Sequence, residues 1–461
     1  MTRTIASALL TLVLATPLHA QGVRGTAVST ARLIELRPLR TDTISRDSIV
    51  LRAGERDRAI AFTQDVRLTA WGFGIAGLSA TTYLRARADF GSGPVWPRSD
   101  DAFDALIAYV EYDREPVRLR LGRQTSLGGL GFASYDGLSA LVRRGPRLSA
   151  ELYGGRSLAR GLVEPRSEVL QGFEQFVPDR SVLLLGASVA ATPFAGVSLS
   201  TRYQREIFAN RGALVSERAS VEAFVSALRP LTLDASADWD FAFGRAGKAD
   251  VRATLPLFSG VRVEAAGRRY VPYFELWTIW GFFDPVAWHE GEVRVSWTRP
   301  DGGLMAAVTG ALRRYDETNT GILGPEIERD TKRIALDVRW DVTERWSVDG
   351  SFQRETGFGA SFGGSDIGAR WTPARATWVR AFVTAFEQIE EFRIGEGSVL
   401  GGGASAEMPL IDRLSLAGGV SIYQHSSTRS DQPDWSQRRA WISLRADLGR
   451  DPGRVSARRA P

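Results

Sequence analysis

Leu231-Thr-Leu-Asp-Ala-Ser-Ala-Asp-Trp-Asp-Phe-Ala-Phe243 decides the fold class. Leu231, Leu233, Ala235, Ala237, Trp239, Phe241 and Phe243 share one parity; Thr232, Asp234, Ser236, Asp238 and Asp240 share the other. Side chains of an extended strand point alternately to opposite faces, so a strand separates these acids from the apolar residues. A helix would scatter the acids around its axis. The stretch predicts a long strand with one charged face and one apolar face.

The alternation recurs from about Phe62 to Gly449. Val261, Val263 and Ala265 oppose Arg262, Glu264 and Ala266. Ile334, Leu336, Val338 and Trp340 oppose Arg333, Asp337, Arg339 and Asp341. Many runs outlast the ~5–6 residues of an ordinary strand and match the ~9–11 that a tilted transmembrane strand needs. Apolar faces tend to end in aromatics, as at Trp239, Trp297, Trp340 and Trp346. Interfacial girdles explain this, though aromatic caps on a soluble sandwich core are the other reading. Connections also sort by parity. Short ones such as Arg144-Gly-Pro-Arg147, Pro256-Leu-Phe-Ser-Gly260 and Arg299-Pro-Asp-Gly302 are rich in turn residues. Longer ones lie between them at 91–101, 126–136, 156–180, 208–215, 272–290, 316–329, 356–364, 390–397 and 427–435, with 244–248 a short exception. Barrels of the bacterial outer membrane have short periplasmic turns and long external loops, whereas a soluble sandwich has no reason to sort its loops.

The fold class is therefore all-β: a single antiparallel transmembrane β-barrel of about 22 strands, within a range of roughly 18–22. Parity requires a strand before the one at 62–73, and Ala31–Arg37 or Asp47–Arg52 is the candidate. A turn at Gly74-Ile-Ala-Gly77 separates the next two strands. Residues 1–20 read as a cleaved secretory signal: Arg3, an apolar Ile5–Ala15, then Leu18-His19-Ala20. Residues 21–61 form an N-terminal segment holding the first strand, 62–449 the barrel and 450–461 a disordered polar tail. The expected location is the outer membrane, with its lipid and the barrel-assembly machinery as partners.

Composition excludes several chemistries. The 461 residues contain no cysteine, so there is no disulfide framework, thiolate metal site or cysteine nucleophile. Three histidines, one of them His19 in the signal, argue against a histidine metal centre, and neither metal nor cofactor is expected. The net charge of +5 comes from bases interleaved with acids, unlike a nucleic-acid surface. Gly128-Gly129-Leu130-Gly131 and Gly401-Gly402-Gly403 match no phosphate-binding fingerprint. His289, beside Glu290 at the end of the aromatic loop, and His425, beside Ser426 at a strand end, are both expected to be external, and sequence adjacency is not triad geometry. An enzyme is not expected; a hydrolase is the remote alternative.

The charged face should line the lumen. Its candidates are Arg85, Arg87, Arg118, Arg120, Asp234, Asp238, Asp240, Arg262, Glu264, Arg268, Arg333 and Arg339. They either select solutes by charge or form a self-neutralising network that keeps the wall wet and rigid. Early arginines facing the Asp234–Asp240 cluster across the barrel would set up a transverse field. The aromatic stretch Tyr270–Trp288 contains Tyr273, Phe274, Trp277, Trp280, Phe282, Phe283 and Trp288. It is expected as an external loop, either folded into the lumen as a constriction or packed as a girdle.

Val117-Arg-Leu-Arg-Leu-Gly-Arg-Gln124, a glycine-rich segment, and Tyr135-Asp-Gly-Leu-Ser-Ala-Leu141 carry a resemblance. A strand ending in Gly-Arg-Gln before a strand opening with Asp-Gly resembles porin-like outer-membrane proteins, including the alginate-export type. The matching positions are Gly122, Arg123, Gln124, Asp136 and Gly137. The resemblance implies a channel for passive or facilitated passage of small hydrophilic solutes. The polar tail ending at Pro461 departs from the terminal aromatic usual in such barrels. A closed structural or adhesive barrel is the non-transport alternative. A siderophore-type transporter would need a plug domain larger than the segment ahead of Phe62.

Overall fold

The computed structural model describes residues 22–36, 39–45, 48–53, 57–91, 102–158, 182–210, 212–271, 287–316, 329–357, 362–388, 397–427 and 434–449. The signal, the polar tail and most of the aromatic stretch lie outside these residues. The strands are β1 Gly22–Leu36, β2 Leu39–Ser45, β3 Ser48–Ala53, β4 Asp57–Trp71, β5 Leu78–Asp89, β6 Phe103–Arg114, β7 Val117–Gly128 and β8 Gly131–Arg144. They continue with β9 Leu148–Ser157, β10 Val182–Phe194, β11 Val197–Phe208, β12 Leu214–Val225, β13 Thr232–Asp240, β14 Arg245–Pro256, β15 Val261–Tyr270 and β16 Trp288–Thr298. The last are β17 Leu304–Tyr315, β18 Asp330–Asp341, β19 Trp346–Gly357, β20 Phe362–Ala374, β21 Thr377–Gln388, β22 Gly397–Ile411, β23 Leu414–Ser427 and β24 Trp435–Gly449.

Twenty-two of these strands form one antiparallel sheet, and β2 with β3 makes a separate hairpin. The sheet is closed. β1 pairs with β4 on one side and with β24 on the other, from Arg24 opposite Gly449 to Ile34 opposite Arg439. This is the expected barrel at the expected strand count. Its first strand is β1, which extends the Ala31–Arg37 candidate back to Gly22, while the Asp47–Arg52 candidate overlaps β3 of the hairpin. The tight connection at 72–77 separates β4 from β5 as the glycines suggested.

One expected loop is not a loop. Residues 126–136 continue β7 and β8, which pair as far as Gly128 opposite Gly131. Alternation fades there because the tip is glycine-rich and serves no lipid face. Trp288, His289 and Glu290 likewise belong to β16, so His289 is on a strand of the wall and not in an external loop.

Parity decides which face meets what. Leu121, Leu152, Leu312 and Ile367 are 63–66% exposed, on the same face as their apolar neighbours. A continuous apolar surface of this extent would not persist in water, whereas lipid accepts it without cost. Trp297, Trp340, Trp346 and Trp371 lie on it near the short turns, and Trp346 stacks on Trp371 with ring centroids 5.9 Å apart. That is the interfacial girdle. The charged parity faces the lumen.

The two faces should respond oppositely to one added charge. Leu336→Arg, on the outer face mid-strand, is expected to cost about 2–4 kcal/mol of bilayer refolding stability in urea titrations. Ser351→Arg, on the inner face of β19, should cost under about 1 kcal/mol. Equal losses would count against this assignment of the faces.

Candidate functional site

The inner wall carries a ladder of arginine–carboxylate pairs. Arg85 Nε donates to Asp65 at 2.7 Å, and Arg87 lies 2.7 Å from Asp104. Arg120 pairs with Glu111, and Arg118 reaches Glu151 at 3.7 Å. Arg294 meets Asp337 at 2.9 Å, and Arg380 meets Asp349 at 2.6 Å. Each pair joins neighbouring or next-neighbouring strands at inward positions, so the ladder ties strands together while keeping the wall polar.

The densest knot centres on Glu290. Glu290 is 4% exposed, and its carboxylate accepts from Arg268 at 3.3 Å, Arg313 at 2.8 Å and Arg333 at 3.0 Å. Arg333 also donates to Glu292 at 2.6 Å, Arg268 to Asp250 at 2.8 Å and Arg313 to Glu355 at 3.0 Å. Three guanidiniums thus share four carboxylates across β14 to β19. Burial of Glu290 is tolerable because several donors satisfy its oxygens. Trp288 faces inward beneath Arg313, whose guanidinium carbon is 4.6 Å from the ring centroid, and Tyr270 lies beside it at 5.5 Å.

The lumen is narrowed by the β7–β8 hairpin. Gly122, Gly137 and Gly155 stand opposite one another in a single register row across β7, β8 and β9. Gly122 has φ +125°, and a Cβ there would strike the Ala108 carbonyl; one on Gly137 would strike that of Gly154. The row is a crease that only glycine permits. Beyond it, the hairpin leans over its neighbours. Tyr135 stacks on Tyr153 at 5.7 Å, and both pack with Ala133 and Leu184 in a small buried cluster.

The tip is pinned to the inner faces of β11 and β12. Arg202 donates to Ser126 Oγ at 2.7 Å and to the Leu127 carbonyl at 3.1 Å. Arg218 donates to the Leu130 carbonyl at 2.9 Å. All these anchors project inward, so the tip lies inside the wall. Leu127 and Phe132, paired across the tip, stay 77% and 62% exposed on its free side.

The Gly-Arg-Gln and Asp-Gly positions build the crease. Arg123 makes a bidentate pair with Asp136, both contacts 2.8 Å, and also donates to the Ala105 carbonyl at 2.8 Å. Gln124, 2% exposed, donates to the Gly137 carbonyl at 3.1 Å and accepts from Ser139 at 3.0 Å. Arg202 and Arg218 were not singled out in sequence, since nothing local marks which inward arginine reaches a hairpin tip.

Other anticipated lumen residues have specific places. Asp240 caps its turn, accepting from the Ala242 amide at 2.9 Å, and Asp238 accepts from the Lys248 amide at 2.6 Å. Asp234 stands opposite Arg252, and Glu264 opposite Arg294. Arg262 is exposed opposite Ser296, and Arg339 lies 3.7 Å from Asp341. The Asp234–Asp240 strand is six to eight strands from the early arginines around a ring of 22, not opposite them. Those arginines are paired, and two of the three acids are engaged by backbone amides. Both features weaken a simple transverse field. Tyr273, Phe274, Trp277, Trp280, Phe282 and Phe283 lie outside the described residues.

No family model and no curated protein matches the sequence. Among solved structures, the siderophore receptor PirA from Pseudomonas aeruginosa is similar over 92% of this chain and 80% of its own, with TM-score 0.53 and 12% identity. The fold is that of an outer-membrane β-barrel. OccK11 (OpdR) from the same organism aligns over 93% of this chain and 96% of its own, with TM-score 0.38 and 10% identity. Its outer membrane protein OprD aligns over 94% and 95%, with TM-score 0.37 and 9% identity. At these identities the likeness is one of fold.

The pinned hairpin gives a direct test. Arg202→Ala with Arg218→Ala removes both anchors, with an expected cost of about 1–3 kcal/mol in refolding titrations. The freed tip should also become cleavable by added protease at Ser126–Phe132, where the parent protein resists. A double variant as resistant as the parent would show that the arginines do not hold the tip.

Proposed function

We propose that the protein is a porin-like channel for passive or facilitated diffusion of small hydrophilic solutes across the outer membrane. The pinned β7–β8 hairpin carries this reading. Twenty-two strands spaced ~4.8 Å apart and tilted ~40° enclose a ring roughly 40 Å across, too wide to discriminate among small solutes unaided. A hairpin creased inward and fastened to the wall narrows that path, and the paired charges keep the surface wettable. Export through a cleaved signal and insertion by the barrel-assembly machinery complete the reading.

The 22-strand count and the likeness to a siderophore receptor favour a second reading, a receptor-type barrel that does not conduct by itself. Planar-bilayer recording of refolded protein separates the two. Stepwise conductance supports the channel; a folded, silent barrel supports the receptor or a closed structural barrel. Liposome swelling with sugars, amino acids and organic acids then identifies the solute class.

Charge selectivity follows from the ladder. Arg118→Gln with Arg120→Gln leaves Glu151 and Glu111 without these cations, so the reversal potential in a salt gradient should move toward cation preference. An unmoved potential would remove this part of the wall from the ion path.

A further inference from the structure

One sector of the barrel carries outward-facing cations on five consecutive strands. Arg269, His289, Arg314, Lys332 and Arg354 sit on β15 to β19, share the parity of the lipid-facing residues, and are all exposed. They lie at one height. Arg269 is eight residues beyond Val261, His289 nine before Thr298, Arg314 ten beyond Leu304, Lys332 nine before Asp341 and Arg354 eight beyond Trp346. With a rise of ~3.3 Å per residue and a tilt of ~40°, that is about 20–25 Å above the short turns, the upper edge of the ~25 Å apolar band.

The described acids do not balance this row. Asp316 lies 2.9 Å from Arg269 and 3.1 Å from His289, and Asp330 lies 3.9 Å from Arg314. Among the described residues, Lys332 and Arg354 have no ion-pair partner, and the next outward acid beyond Arg354 is Glu387, two strands away. Among the described residues, four permanent cations therefore meet two carboxylates. Elsewhere at comparable height among the described residues, outward cations are isolated or share an acid: Arg123 and Arg156 flank Asp136, Arg205 faces Glu217 at 3.9 Å, and Arg438 stands alone in its row.

Below the row the wall is hollowed. Gly267, Gly291 and Gly310 face outward with no atom within 4 Å of where a Cβ would be. Val251 and Leu312 flank an open groove of about 680 Å³ there. We propose that this sector binds a phosphorylated lipid of the surrounding outer leaflet, its phosphate on the cationic row and an acyl chain in the groove. A phosphate monoester carries about −1.5 to −2 charges, matching the excess of two cations among the described residues. Arginine forks suit its oxygens, and basic residues at a membrane edge attract anionic headgroups. The site rests on the membrane-barrel reading but not on channel activity.

The test uses the full chain in detergent micelles, titrated with diphosphoryl lipid A or its dephosphorylated form and read by native mass spectrometry. Folding is monitored by heat-modifiable gel mobility. The expected result is one retained diphosphoryl lipid per barrel, favoured about tenfold or more over the dephosphorylated form. Lys332→Gln with Arg354→Gln should abolish the preference, while Arg205→Gln should leave it intact. If the double variant does not refold, Gly291→Leu fills the groove without changing charge and should weaken retention of both lipids. Inorganic phosphate should leave the lipid bound; full displacement by it would assign the row to the free anion and overturn the lipid site. Equal retention of both lipids by a folded barrel would overturn the site alone. Failure to form a heat-modifiable barrel would overturn the membrane-barrel reading with it.

Discussion

Everything in the cylinder depends on its having no sheet edge. In hydrocarbon there is no water to satisfy a free amide or carbonyl, so a sheet that crosses a membrane must close on itself. The closing contact is β1 against β24, reinforced by Thr30 Oγ1 and Ser443 Oγ 3.0 Å apart. Once the sheet is a cylinder, its inner face cannot be filled as a globular core is filled. The polar parity must satisfy itself along the wall, and the arginine–carboxylate ladder does so.

Much of the fold was legible because each strand reports its two environments locally. Leu231–Phe243 needs no tertiary information to separate its faces, and turns such as Arg299–Gly302 identify themselves by composition. What was missed depends on distance or on weak contrast. β1 presents Gly25, Ala27, Ser29 and Ala31 at lipid-facing positions, and such small side chains give little alternation signal. The β7–β8 tip leaves the lipid face altogether, so the rule that revealed the other strands no longer applies.

The lumen residues were legible as a class but not as a mechanism. Sequence placed charge on the inner face; it did not show that Glu290 would gather three arginines, because that requires the register of β15 to β18. Nor did Asp240 differ in sequence from Asp234, though one caps a turn and the other faces Arg252. The Gly-Arg-Gln and Asp-Gly positions were recognisable as a pattern, and the register row of Gly122, Gly137 and Gly155 supplies its physical meaning.

The β1–β24 seam also fixes when the molecule can become whole. Its partners, Arg24 and Gly449, stand side by side yet lie at opposite ends of the described chain. Every other neighbouring pair in the cylinder is joined by a local connection, so those hairpins can zip in the order of synthesis. The first strand must wait, its hydrogen-bonding edge unsatisfied, until the last has been made. An escorting surface that masks this waiting edge is thus a requirement of the topology, independent of what the finished barrel does.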